Sequence, residues 1–199
     1  MKTISLQKGR INQKKKTRIR ILNAAKNLMS ENKKITLEEV ALKAKVGRAT
    51  IYRYFPSIDL LYTEASLDIH FLTPEELFDE VKNMSLDQRL IYIQNYYNTM
   101  AQDHELIFRR YLSATLIESL GSNKKIRGAR RIEATSLALE SSQKKLSKKD
   151  IDLLKNTATI LMGIESVIVA KDVCRLSDKK TNETLNWALE MILKGMQVK

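Results

Sequence analysis

TLEEVALKAKVGRATIYRYF, residues 36–55, reads as two short helices around a tight turn. Val40 and Ala41 fall on the inward side of the first helix, Val46 in the turn, and Ile51 on the inward side of the second. Ala41 is small where the two helices must cross closely. Thr36 with Glu39 has the spacing of a capping box that opens the first helix. The expected helices are Leu37–Lys45 and Arg48–Phe55. A helix-turn-helix of this kind lays its second helix in the major groove of DNA, so the spacing implies sequence-specific binding to double-stranded DNA.

Charge along the chain points the same way. The 199 residues hold 35 Lys and Arg against 23 Asp and Glu, a net of +12. Residues 1–60 carry 15 basic and 4 acidic residues, so nearly all of the excess lies in the first third. Basic residues gathered around a helix-turn-helix suit phosphate contacts, which release condensed counterions.

Composition narrows the fold. Hydrophobic residues make up 43%, while Gly and Pro number only 6 and 2, and no strand-and-turn rhythm is present. An all-α chain is expected, with an N-terminal helix-turn-helix DNA-binding domain and a C-terminal helical domain for ligand binding and dimerisation. Cys174 is the single cysteine, which rules out an intrachain disulfide. No signal-peptide pattern opens the sequence, and the most apolar window, Ile160–Ala170, is interrupted by Glu165 and Ser166. The expectation is a cytoplasmic protein with no membrane partner.

Working outward, residues 1–16 (Lys8, Arg10, Lys14, Lys15 and Lys16 among them) suggest a flexible basic arm, and residues 17–57 the DNA-binding domain. Residues 58–199 form the expected regulatory and dimerisation domain. Its helices are predicted at Ile58 to about Phe71, Pro74 to about Asn83, Ser85 to Asp103, His104–Leu120 and Ala129–Leu146. Thr73 with Glu76 and Ser85 with Gln88 have capping-box spacing, Ser57 and Ser147 suit helix starts, and Gly121–Gly128 suits a basic loop. Lys148–Leu176 is predicted as one long helix of roughly 43 Å, followed by a last helix over Thr181–Met196.

This order of elements, with Ala41, Val46 and the run ATIYRYFPS at residues 49–57, resembles the TetR family of bacterial transcriptional regulators. The specific resemblance covers about the first 70 residues. It differs at three positions. Lys45 stands where the family usually has Gly, at a turn position that favours φ > 0 and costs another residue roughly 1 kcal/mol. Gly47 replaces a small hydroxyl residue at the start of the second helix, and Ile58 replaces a lysine that meets a phosphate.

The candidate DNA contacts on the second helix are Arg48, Ala49, Thr50, Tyr52, Arg53 and Tyr54. Arg48 and Arg53 suit either guanine O6/N7 or phosphate. The resemblance implies phosphate or sugar contacts for Tyr52 and Tyr54 and leaves Ile51 and Phe55 to the core. Thr36, at a helix N-terminus, suits a phosphate as well as a cap. Lys14, Lys15, Lys16, Arg18 and Arg20 suit the backbone or the minor groove.

The resemblance also implies a regulatory pocket for a small-molecule effector. Its candidate residues are Tyr92, Tyr96, Met100, Phe108, Tyr111, Thr115, Met162 and Glu165, with Tyr97 beside them. Aromatic and Met residues at helical spacing equally suit plain core, but each buried phenol requires a partner. Glu165 admits a ligand cation, Arg109 or Arg110, or solvent. His70 and His104 lack a second ligand at metal spacing, and no nucleophile–base set or Gly-rich phosphate loop is present. No metal, cofactor or enzymatic activity is expected. The implied function is a ligand-responsive repressor, acting as a homodimer on a near-palindromic operator. The dimer would form through the last two helices, with Leu185, Trp187, Ala188, Leu189, Met191 and Ile192 in the interface or against the core. The alternative is a weakly specific DNA-coating protein of the same fold.

Overall fold

The computed structural model describes residues 2–29, 35–68, 71–120, 128–140 and 146–197. The described elements are helical throughout. Eleven helices run α1 (Lys2–Met29), α2 (Leu37–Lys43), α3 (Arg48–Tyr54), α4 (Ile58–Asp68), α5 (Pro74–Val81), α6 (Leu86–Asp103), α7 (Glu105–Leu120), α8 (Arg130–Glu140), α9 (Lys148–Ile160), α10 (Ile164–Ile168) and α11 (Asp178–Gln197). A π-helical turn, Val169–Val173, continues α10. The chain divides into two units. Residues 1–70 and 109–126 form the first; residues 71–108 and 127–199 form the second.

In the first unit, α1 packs on α2 and α4, and α2 on α3. Ile21, Leu22, Ala24 and Ala25 of α1 are buried, as are Leu37, Val40 and Ala41, Ile51 and Phe55, and Leu60, Leu61 and Ala65. Two ion pairs lock α1 to α4. Arg18 Nε donates to Glu64 Oε1 at 2.8 Å, and Lys26 Nζ to Asp68 Oδ2 at 2.7 Å. Ser57 Oγ accepts from the Leu60 amide and starts α4.

Residues 2–16 are helical and continuous with the rest of α1, which corrects the expected arm before Thr17. The segment is built largely from Lys, Gln, Arg, Leu and Ile, which tolerate helix well. Gly9 is its poorest former, and no Pro interrupts it.

In the second unit, Thr73 and Ser85 close the capping boxes that open α5 and α6. The core joins Leu77 and Val81 of α5, Leu90, Ile93 and Tyr97 of α6, Ala134, Ala138 and Leu139 of α8, Leu154 and Ala158 of α9, Met162, and Leu189 and Leu193 of α11. Residues 141–145, the end of the helix expected to reach Leu146, lie outside the described residues.

The long helix predicted over Lys148–Leu176 is broken. α9 stops at Ile160, and the two segments meet at a 54° bend. Gly163 sits at φ +82°, ψ −165°, a region essentially reserved for glycine. The break frees backbone groups, and side chains from neighbouring helices satisfy them. Gln94 Nε2 donates to the Leu161 carbonyl at 3.1 Å, Arg131 Nη1 donates to the Met162 carbonyl, and Asn98 Oδ1 accepts from the Gly163 amide at 2.7 Å. A buried backbone group left unpaired costs about as much as a lost hydrogen bond, so this support is what makes the break affordable. Among the described residues, no single helix is long and apolar enough to cross a membrane.

Candidate nucleic-acid interface

The turn between α2 and α3 closes as a Schellman motif. The Lys45 amide donates to Leu42 O at 3.1 Å and the Val46 amide to Ala41 O at 3.0 Å. This geometry puts the residue after the C-cap in the left-handed region, and Lys45 lies there at φ +52°. At the other end, the Thr36 side chain accepts from the Glu39 amide while Glu39 reaches back to the Thr36 amide. Gly47 opens α3 in extended backbone with no side-chain cap.

Ile51 and Phe55 are fully buried, which fixes the rotation of α3. Arg48, Ala49, Tyr52 and Arg53 are exposed, while Thr50 and Tyr54 are half-buried. Glu38 of α2 reaches α3. It accepts from Tyr52 Oη at 2.8 Å, and Arg48 Nη2 lies 3.4 Å from the same oxygen. The Tyr52 hydrogen bond, more than the Arg48 charge, holds the Glu38 carboxyl below its ordinary range. Glu38 was not singled out from the sequence, since an exposed acid on a basic face carries no local signal.

A cleft of about 470 Å³ opens between α1 and the turn. Gln13, Lys14, Thr17 and Arg20 line one side, and Lys45, Val46, Gly47, Thr50, Arg53 and Tyr54 the other. Of the expected contacts, Lys14, Thr50, Arg53 and Tyr54 therefore share one concave surface. Lys16 is exposed, and the side chain of Lys15 lies outside the described residues. Arg18 lies apart from these: its guanidinium pairs with Glu64 and stacks 4.6 Å over the Phe55 ring, which braces α1 against α4.

Residues 21–65 match the family model described as "Bacterial regulatory proteins, tetR family". The chain carries the DNA-binding domain of the TetR family. It is accordingly a DNA-binding transcriptional regulator, and α2 and α3 form its helix-turn-helix. A crystal structure of a TetR transcriptional regulator from Rhodococcus sp. RHA1 is similar in fold at 18% identity. That likeness covers 90% of this chain and 97% of that one, with a TM-score of 0.50. No curated protein matches the chain.

The candidate effector residues separate. Tyr111 and Thr115 belong to the TetR-type first unit. There Tyr111 Oη donates to Glu64 Oε2 at 3.4 Å, and Thr115 Oγ1 donates to Leu112 O at 2.9 Å. In the second unit, Phe71 joins Tyr96, Tyr97 and Phe108, with ring centroids 5.6–6.3 Å from its own. Arg130 lies 5.7 Å over Phe71. Tyr96 Oη accepts from the Leu72 amide at 2.7 Å. Tyr92 is exposed and donates to Glu80, which raises its phenol above the ordinary value. Met100 is half-buried, and Met162 is wholly in the core. Glu165 pairs with Arg131 at 3.0 and 3.1 Å, a partner not expected for it. Among the described residues, Tyr97 Oη and Asn98 Nδ2 are buried without a hydrogen-bond partner, and burial pushes the Tyr97 phenol far up. Phe71 was missed because it lies beyond the helix that carries most of the other rings.

Proposed function

We propose that this regulator is a ligand-responsive repressor that binds a near-palindromic operator as a homodimer in the bacterial cytoplasm. The observation that carries the proposal is the exposed row Arg48, Ala49, Tyr52 and Arg53 on α3, beside a cation-lined cleft. Arg48 reads the major groove and Tyr52 meets phosphate or sugar beside it, and the Glu38 carboxylate holds both side chains in place before DNA arrives. Thr36 suits a phosphate at the start of α2.

The dimer forms through apolar surface on α9–α11. Trp187 and Met191, one turn apart on α11, are exposed, as are Ile160, Val169 and Val173. Leu185 and Leu189 turn to the core instead, and Ile192 packs partly against it. Two recognition helices then meet half-sites about 34 Å apart.

The effector is an aromatic or apolar small molecule carrying a hydrogen-bonding group. The ring cluster of Phe71, Tyr96, Tyr97 and Phe108 supports this, together with the unpartnered Tyr97 hydroxyl and Asn98 amide. α7 contributes residues to both units. Within the first unit, Tyr111 touches Glu64, Glu64 holds Arg18, and Arg18 lies over Phe55 at the end of α3. A shift of α7 is thereby felt at the recognition helix. The effector weakens DNA binding only by favouring the geometry that fits the operator less well.

Selection of genomic fragments at about 150 mM salt, where long-range charge attraction is screened, tests the reading. Recovery of one near-palindromic site, lost with Arg48→Ala, supports it. Uniform recovery of all sequences favours the DNA-coating alternative and overturns the repressor.

A further inference from the structure

We propose that the cleft between α1 and the helix-turn-helix is a built phosphodiester site, in which Lys45, Arg20, Lys14 and Arg53 grip the DNA backbone beside the groove that α3 enters. The inference rests on the DNA-binding reading above and adds to it a separate place and separate residues.

Among the described residues, four cations line this cleft and no acidic side chain does. Other cations of the same unit are spent within the protein. Arg18 is held by Glu64 and Lys26 by Asp68. The neutral lining residues are donors of the kind that phosphate oxygens accept from: Gln13, Thr17, Thr50 and Tyr54. The spacing of Gln13, Thr17 and Arg20 repeats every three to four residues, which keeps them on one face of α1. The helical continuation of α1 before Thr17 supplies Gln13 and Lys14 to the cleft.

Lys45 is the decisive residue. Its left-handed backbone suits glycine better, so a lysine here is a local stability cost. That side chain lines the cleft, where a long cation gains a phosphate and glycine would contribute nothing. It also supplies positive charge to a domain that has Ile58, not lysine, at the start of α4. Arg53 follows as a backbone contact, whereas Arg48, on the Glu38 side, is left to read bases.

Stability and salt dependence separate the two roles of Lys45. Wild type, Lys45→Gly and Arg20→Gln are compared on a scrambled 30-base-pair duplex and on the selected genomic site, over roughly 50–200 mM KCl. Lys45→Gly is expected to raise Tm by about 2–4 °C and to weaken both duplexes by the same factor. The salt slope falls by about 0.9 per lost contact, so the affinity ratio across that salt range shrinks about 3.5-fold. Arg20→Gln is expected to lower the slope equally without raising Tm. A raised Tm with an unchanged slope overturns the inference and leaves the DNA-binding reading standing. A loss confined to the selected site also overturns it, because it makes Lys45 a base reader. Failure of wild type to bind either duplex overturns both.

Discussion

Gly163→Ala is the sharpest test of how the second unit is built. Residues 148–173 would form one helix by local pattern, and in such a helix alanine is better than glycine by up to about 1 kcal/mol. The structure reverses that sign. At φ +82° an L side chain is strained by about 1–3 kcal/mol. The new Cβ would stand 2.8 Å from Arg131 Nη1 and 3.3 Å from Arg131 Cδ. The guanidinium must then leave the Met162 carbonyl and loosen its grip on Glu165, and hydrogen bonds of a charged group are worth about 1.5–3 kcal/mol each. The lower conformational entropy of the unfolded alanine chain returns about 0.4–1 kcal/mol. The net expectation is a loss of about 3 kcal/mol, or a fall in Tm of about 6–12 °C. Urea unfolding followed by far- and near-ultraviolet circular dichroism reads the change in midpoint, and an unchanged slope confirms the same two end states. Arg131→Ala removes the clash along with the hydrogen bonds, so the double variant should cost clearly less than the two single changes together. An unchanged or raised midpoint for Gly163→Ala would refute the reasoning, since that is the behaviour of an unbroken helix.

Arg18→Ala should destabilise the first unit by about 1–3 kcal/mol, because Glu64 is left part-buried without its bidentate partner; Glu64→Gln added to it should recover part of the loss in thermal melts. The Glu38 carboxyl, lowered first by Tyr52 and then by its own backbone, contributes stability that is present above its unfolded pKa and lost as pH falls through the lower folded one. Tyr52→Phe should return its titration midpoint upward toward the ordinary carboxylate value, read by NMR, and an unmoved midpoint would contradict the hydrogen bond. Gly47→Asp should stabilise the first unit by a few tenths of a kcal/mol, since the backbone already has N-cap geometry and the Cβ position is open. The same carboxylate, placed among the cleft cations, should weaken DNA binding on selected and scrambled duplexes alike in fluorescence anisotropy.

What the sequence determined was local. Capping boxes at Thr36, Thr73 and Ser85 form between residues three apart, so their pattern survives any tertiary arrangement. The helix-turn-helix was legible for the same reason. Ala41, Val46 and Ile51 encode a crossing completed within twenty residues, and the glycine-favouring geometry at Lys45 follows from the Schellman closure itself. Tertiary structure decided what depends on distant partners. Arg18 belonged to the basic N-terminal segment by sequence, but Glu64, 46 residues on, claims it. The break at Gly163 is tolerated because Gln94, Asn98 and Arg131 arrive from α6 and α8 to satisfy the freed backbone, and no local pattern announces them. Glu165 found Arg131 by the same bend. Periodicity records which face of a helix is apolar, whereas the fate of a buried carbonyl or charge depends on which side chain the packed fold brings within 3 Å.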